Sequence, residues 1–246
     1  MAAPFLLLKP PFTPRKLPGL RLWLAADRIV GLADGDPVAS WTDLSGNGNH
    51  ATQGTTAAKP LYKTGIVNGR PAVLFDGVDD FLSLPSGAYS VLSTSAKTVI
   101  LAVKWVALGS DKRMLSTQNA GFSGRFSMVT FSSTAYQFFY QNGTTASNLF
   151  QVSGNAPSSS VPQICSFVQG GTVVNGYVNN TAIAAAGSDG GSEALINAAL
   201  GANGAGSGAF GNLYILEALI YNRALSTAEA SAVRRYLGAR YGLAVA

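Results

Sequence analysis

Residues 98–106 read TVILAVKWV, and their pattern decides the fold class. With a period of two, Val99, Leu101, Val103 and Trp105 fall on one face of an extended strand. Runs of the same kind recur downstream: RFSMVTF at 125–131, AYQFFYQ at 135–141, then 164–169, 172–178 and NLYILEALIY at 212–221. Turn signals separate them. Asn142-Gly143 and Gly170-Gly171 mark hairpins, and Asn179-Asn180 turns the chain into a strand at 181–185. Short strands at this spacing, with 28 glycines to serve turns, predict an all-β sandwich or jelly roll.

The C-terminus reads differently. Ser226-Thr227-Ala228-Glu229 is a capping box, in which the Ser226 hydroxyl accepts from the Glu229 N–H and Glu229 reaches back. Ala230, Val233 and Leu237 follow as a narrow apolar stripe with Tyr236 beside it, and Gly242 suits a left-handed C-terminal cap. Arg234, Arg235 and Arg240 favour the negative end of the helix dipole. One helix is expected there. Two biased stretches, 156–160 and the Gly/Ala-rich 201–211, read as loops.

Composition narrows the function classes. Only 12% of the 246 residues are charged and 47% are hydrophobic, which excludes a disordered chain. A single cysteine, Cys165, and a single histidine, His50, exclude a disulfide framework and a Cys/His zinc cluster. The net charge of +5 invites a nucleic-acid reading, but its distribution argues otherwise. Residues 1–21 carry four bases and no acid, residues 22–222 nine bases against eleven acids, and residues 223–246 four arginines against Glu229. The body is therefore mildly acidic and both ends are basic, so no nucleic-acid partner is expected.

Residues 1–19 hold five prolines and read as an extended, basic, proline-rich arm, with the domain proper in 20–246. The apolar run Phe5 to Leu8 is too short for a signal-peptide core, which needs ~7–15 residues. No run approaches the ~20 apolar residues of a spanning helix. A cytoplasmic product, released if at all by lysis or a dedicated route, is the expectation. The Phe5-Leu6-Leu7-Leu8 patch would be unwelcome in water, so the arm should lie on its own body or on a neighbour.

Four segments together carry a resemblance: LRLWLAADRI (20–29), WTDLSGNGNHATQ (41–53), NGRPAVLFDGVDDFLSL (68–84) and LEALIYNRALSTAEASAVRRYLGARYGL (216–243). The chain resembles the concanavalin A-like lectin/glucanase superfamily. Within it, the likeness is to the laminin-G-like jelly-roll domains of bacterial surface and phage virion proteins. It spans about residues 20–243 and is loose between 85 and 195. It implies a two-sheet antiparallel jelly-roll sandwich. Function stays open, because that fold hosts lectins, glycosidases and structural modules alike.

Glycosidase chemistry needs a carboxylate pair across the scissile bond. The glucanases of the superfamily place theirs on one strand in a Glu-x-Asp-x-Glu type run. The chain has three glutamates, Glu193, Glu217 and Glu229, and no such run. Glu193 sits in a Gly/Ser loop, and Glu229 belongs to the capping box. Glu217 has Ile215 and Leu219 at the neighbouring same-face positions and reads as a structural hydrogen-bonding residue. His50 lies in a Gly/Asn loop and reads as a turn residue; Cys165 reads as a buried small hydrophobe.

Asp43, Ser45, Asn47 and Gly48 occupy positions 1, 3, 5 and 6 of an EF-hand-like loop, but position 12 is Gly54 where a bidentate glutamate is required. Calcium is the one cofactor left open, held by Asp43 and Asn47 with Asp79 and Asp80; the competing reading makes Asp43 the centre of Asx-turns. Asp76-Gly77 reads as a tight turn after a strand at 72–75. Candidate sugar-stacking aromatics are Tyr62, Tyr89, Tyr136, Phe138 and Tyr140, although bulk favours packing the last three into the core. Trp23 and Trp41 match packing positions of the superfamily.

The leading expectation is a non-enzymatic virion protein, a phage capsid decoration or tail component. Its arm residues Phe5, Leu6, Leu7, Lys9, Arg15 and Lys16 would dock on other virion proteins, with a homo-oligomer also open. The alternative is a carbohydrate-binding adhesin recognising host-surface glycans, displayed on a virion or a bacterial surface.

Overall fold

Every strand pair among the described residues is antiparallel, and the strands divide into two sheets. A computed structural model of the chain describes residues 12–119, 125–141, 156–171, 173–183 and 195–245. In chain order the strands are β1 (Leu20–Ala25), β2 (Ser40–Trp41), β3 (Ala51–Thr52), β4 (Leu61–Val67), β5 (Arg70–Asp76), β6 (Leu82–Ser83) and β7 (Ala96–Trp105). They continue with β8 (Lys112–Asn119), β9 (Arg125–Ser132), β10 (Ala135–Gln141), β11 (Gln163–Gly170), β12 (Val173–Val178), β13 (Thr181–Ile183), β14 (Leu195–Leu200) and β15 (Asn212–Tyr221). A short helix α1 (Ser86–Tyr89) precedes β7, and α2 (Thr227–Tyr241) closes the fold. The eight-stranded sheet runs β13-β12-β11-β7-β15-β5-β4 with β1 beside β15; the seven-stranded sheet runs β10-β9-β8-β14-β6-β3-β2. The predicted two-sheet sandwich with one C-terminal helix is the fold observed.

Alternation on β7 explains how the layers form. Val99, Leu101, Val103 and Trp105 face the seven-stranded sheet and pack with Met114, Phe126, Met128, Tyr136, Phe138 and Phe167. Ile100 and Ala102, on the other side of the same strand, pack under α2 with Leu219, Val233, Leu237 and Tyr241. The eight-stranded sheet is therefore buried on both faces, and the molecule has three layers: helix, sheet, sheet. The expected hairpins at Gly170-Gly171 and Asn179-Asn180 are present, with Gly171 and Asn179 at positive φ. That expected at Asn142-Gly143 lies outside the described residues.

One expectation on β15 fails. Ile215 faces the inter-sheet core, whereas Leu216 and Leu219 face the helix, because a β-bulge shifts the register between Ile215 and Glu217. At that bulge β15 leaves its pairing with β5 (Asn212 to Ile215) and takes up β1 (Glu217 to Tyr221). Ile215 and Leu219 thus lie on opposite faces, and Glu217 is aimed at the helix layer. There it is fully buried and accepts from Trp23 Nε1 (2.6 Å), Arg240 Nε (3.0 Å) and Tyr241 OH (2.9 Å). Arg240 also reaches Asp27 at 2.6 Å, and Asp27 pairs with Arg70 at 2.8 Å. Burial, the largest influence, pushes the Glu217 carboxyl above its usual range, while Arg240, Trp23 and Tyr241 pull it back.

The capping box forms as read: Glu229 N donates to Ser226 Oγ (3.3 Å), and Ser226 N donates to Glu229 Oε2 (2.9 Å). Gly242 closes the helix at φ 69°. Residues 12–19 lie along the body rather than reaching away from it, with Pro14–Lys16 in a 3-10 turn. Phe12 packs edge-on against Tyr236 at 6.1 Å, Leu17 joins the helix-side core, and Arg223 Nε donates to the Pro18 carbonyl (2.9 Å). No helix among the described residues is long and apolar enough to cross a membrane.

Removing the cation from the Glu217 network leaves two carboxyls without their shared partner. Arg240→Ala should cost about 3 kcal/mol or more in urea unfolding, and the double variant Glu217→Gln/Arg240→Met should recover part of that loss. The acid limb has a separate origin. The hydrogen bond from Arg223, followed by the Ser226 backbone N–H, holds the Glu229 carboxyl at about 2, below its ordinary 4.5. Its stabilisation is present above pH 4.5 and fades as pH falls toward 2. The melting-temperature gap between wild type and Glu229→Ala should be widest near neutrality and close near pH 2.

Candidate functional site

The helix layer covers one outer face of the sandwich and leaves the outer face of the seven-stranded sheet for other uses. On that sheet Phe126 and Met128 point into the core, so Ser127 between them points outward. Beside it on β8, Arg113 and Ser116 share the outward face, as their bonds to Ser127 show. The loop 201–211 folds back over β8 and forms a wall. Arg113 N donates to the Ala209 carbonyl (3.2 Å) and Gly201 N to the Met114 carbonyl (3.0 Å). Glycine makes the close approach possible: a Cβ on Gly204 would sit 2.5 Å from the Thr117 carbonyl carbon. Asn203 braces the loop by accepting from Ser207 N (2.9 Å) and taking the Gly206 N–H on its own carbonyl (2.8 Å).

Between wall and strand lies a cavity of about 210 Å³ lined by Asp111, Arg113, Ser116, Thr117, Gln118, Asn203, Gly204 and Ala209. Nearly every lining group is a hydrogen-bonding one. Arg113, 8% exposed, donates through Nη1 to Ser116 Oγ (3.1 Å) and Ser127 Oγ (3.0 Å), both hydroxyls fully buried. Its Nε and Nη2 both reach Asp111 Oδ1, at 3.1 and 2.8 Å. Asp111 stands at the mouth, 63% exposed, with a left-handed φ of 50° that aspartate tolerates better than most residues. A larger depression of about 370 Å³, on the helix side near Lys104 and Tyr241, is shallow and mostly lined by apolar groups such as Ile66, Val161 and Leu243. The cavity on β8 is the better candidate, being walled and polar.

The calcium ligand set does not assemble. Asp43, 7% exposed, spends its oxygens on Trp23 N, Ser45 N, Ser45 Oγ and Asn49 N at 2.7–2.9 Å, and its own N–H donates to His50 Nδ1 (3.0 Å). Asn47 turns its amide NH₂ to the Leu20 carbonyl (2.9 Å). These two residues knit the loop to β1 as Asx-turns do. Asp79 and Asp80 instead gather with Asp76, all three carboxylates within 4.8 Å of one another. Asp80 accepts from Asp76 N (3.0 Å), and burial, followed by the Asp76 and Asp79 charges, pushes its carboxyl up to about 6.

The other expectations resolve individually. Tyr62, Tyr136 and Phe138 are core, so none of these three offers a free ring face; Tyr89 is half-buried with its hydroxyl donating to the Ile196 carbonyl (2.8 Å). The Tyr140 side chain lies outside the described residues. Trp41 is buried, while Trp23 is half-buried against Tyr236. Burial pushes the Cys165 thiol up to about 12, as suits a packed hydrophobe. Of the arm, Arg15 donates to the Leu44 carbonyl (2.5 Å) and Lys16 lies in the 3-10 turn; Phe5, Leu6, Leu7 and Lys9, like Glu193, lie outside the described residues. Asp111 and Arg113 escaped the sequence reading because KRMLSTQN lacks alternation, and 201–211 looked like featureless low complexity.

No protein-family model matches the chain. No curated protein matches it either. Solved structures do. Domain 4 of AbnA, a GH43 extracellular arabinanase from Geobacillus stearothermophilus in complex with arabinotriose, aligns over 85% of this chain and 95% of its own, with a TM-score of 0.63 and 19% identity. Trypanosoma rangeli sialidase in complex with sialic acid aligns over 90% of this chain, with a TM-score of 0.61 and 13% identity, but this chain spans only a third (33%) of that enzyme. The CBM40 of the Ruminococcus gnavus IT-sialidase, bound to α2,3-sialyllactose, covers 59% of this chain and 85% of its own, with a TM-score of 0.50 and 15% identity. The likeness is one of fold. It joins the chain to β-sandwich domains found in carbohydrate-active proteins, and the cavity on β8 must be judged by its own chemistry.

The walled cavity depends on Gly204. Gly204→Ala should push the loop off β8 and lower stability by about 1–3 kcal/mol through overpacking. Hydrogen exchange should show the loss of protection concentrated in 201–211 and β8, with α2 unaffected.

Proposed function

We propose that this protein is a carbohydrate-binding module and that the cavity on β8 receives a sugar. The observation that carries the reading is a preformed polar cavity, walled by a glycine-fitted loop, on the outer sheet face that α2 leaves free. Its lining offers polar groups to a ring of hydroxyls: a carboxylate at the mouth and the amides of Gln118 and Asn203, backed by a guanidinium and hydroxyls already paired within the fold. At about 210 Å³ it is smaller than the ~300–1,000 Å³ of drug-sized sites, which suits one sugar unit or a chain end. The sugar complexes of similarly folded domains support the same reading.

Binding without turnover is part of the proposal. Glu217 is enclosed by three donors, and Glu229 is committed to the capping box and Arg223. A role at a cell or particle surface, where glycans are met, follows from the same reading. The virion-docking reading gains no comparable support. The described part of its arm is fastened to its own body, and the three solved structures described above are domains or enzymes in complex with sugars.

A glycan array probed with the full chain should give reproducible binding to a defined set of sugars, without release of hydrolysed product. Gln118→Ala, which removes one amide from the cavity, should weaken that binding about tenfold, the worth of roughly 1.4 kcal/mol of lost hydrogen bonding. Asp79→Ala, at a residue that does not line the cavity, should leave it unchanged. Binding that survives Gln118→Ala and disappears with Asp79→Ala would move the site to the acidic cluster.

A further inference from the structure

An arginine at the heart of a sugar cavity, in a fold shared with sialidases, suggests an acidic sugar. The geometry points the other way: we infer that the cavity takes an uncharged sugar and discriminates against sialic and uronic acids. The inference rests on the glycan reading above and names the class of ligand for the same cavity.

The argument is one of donor supply. A guanidinium carries five N–H bonds, and recognition of a carboxylate uses two of them side by side. Four of the five on Arg113 are already engaged, two with Asp111 Oδ1 and two with Ser116 and Ser127. The group is 8% exposed and held from opposite sides, by fully buried hydroxyls within and by Asp111 without. No fork is left to present. An incoming carboxylate would have to displace Asp111, exchanging one charge-assisted pair for another and stranding the aspartate.

What the mouth presents is an acceptor. Asp111 Oδ1 serves Arg113, and no donor among the described residues reaches its second oxygen. The Asp111 side chain is 63% exposed against 8% for Arg113, so an entering ligand meets the aspartate first. A sugar hydroxyl can donate to it in a charge-assisted bond, whereas a ligand carboxylate meets repulsion. Among the described residues that line the cavity, Arg113 is the one cation. Arg113 therefore orients Asp111, and Asp111 selects.

Calorimetric titration of the full chain with arabinotriose, lactose and 3′-sialyllactose at pH 7 tests this directly. The expected result is a neutral sugar bound at least tenfold more tightly than 3′-sialyllactose. Asp111→Asn, at an exposed position where asparagine accepts the same backbone, should weaken the neutral sugar at least tenfold and narrow the discrimination against 3′-sialyllactose. Thermal unfolding of the variant checks that it is folded, and the wild-type preference decides the point without it. Tighter binding of 3′-sialyllactose by the wild type overturns the inference and leaves the glycan reading standing. So does neutral-sugar binding indifferent to Asp111→Asn. Failure of all three probes together with a silent glycan array overturns the glycan reading and the inference with it; failure of the three probes against a positive array overturns the inference if the bound sugars are acidic and upholds it if they are neutral.

Discussion

The fully buried Glu217 carboxyl, gripped by Trp23, Arg240 and Tyr241, is the interaction on which the arrangement of layers depends. It sits at the bulge where β15 changes partner from β5 to β1, so a break in the ladder and a buried acid occur at the same place. A bulge leaves polar groups poorly paired and twists the strand. Here the twist turns an acidic side chain toward α2, where Arg240 and Tyr241 meet it. Arg240 then extends the tie to Asp27, just after β1, and through Asp27 to Arg70 at the start of β5. One network thus joins three strands to the helix. A buried ionic network of this kind fixes register and placement more than it adds stability, since desolvation offsets much of the attraction.

Placement of α2 decides which surface remains available. The middle of the eight-stranded sheet is covered by the helix and by residues 12–17, so β7, β11 and β15 bury apolar residues on both faces. The seven-stranded sheet keeps a polar outer face, and there β8 carries a buried guanidinium flanked by one buried hydroxyl on β8 and another on β9. Such groups are costly unless satisfied. Asp111, Ser116 and Ser127 satisfy them, which makes the cavity rigid before any ligand arrives. Preorganisation of that kind lowers the ordering cost of binding.

Legibility in the sequence followed the strength of the apolar period. β7, β9, β10, β11, β12 and β15 announce themselves because valine, isoleucine and aromatic residues alternate or cluster between turn signals. The capping box and Gly242 delimit α2 to within a residue for the same local reasons. β8 and β14 were hidden. KRMLSTQN and LINAAL mix polar and apolar residues without a period, since their outer face is polar and β8 shifts register between Arg113 and Leu115. The bulge on β15 was equally silent, and it reversed the face assigned to Ile215. The cavity stayed illegible because its wall, 201–211, is set by glycine sterics against a strand far away in sequence, a contact that composition does not encode. Asp43 shows the converse: its Asx-turn was readable from spacing alone, and the same spacing suggested calcium only because both roles use an oxygen-rich loop.

Half of the bases at the two ends of the chain are tied into the body by short-range contacts. Arg15 bonds the Leu44 carbonyl, Arg223 ties the Pro18 carbonyl to Glu229, and Arg240 serves Glu217 and Asp27. Arg234 is buried against the Tyr177 ring, 4.3 Å from its centroid. Each is spent within the chain, on carbonyls at the N-terminal entry, on acids of the body or on an aromatic face. A surface built to hold phosphates needs cations free to exchange counterions. These four, half of the eight bases at the two ends, are engaged at short range instead, fastening the first and last segments to a mildly acidic sandwich.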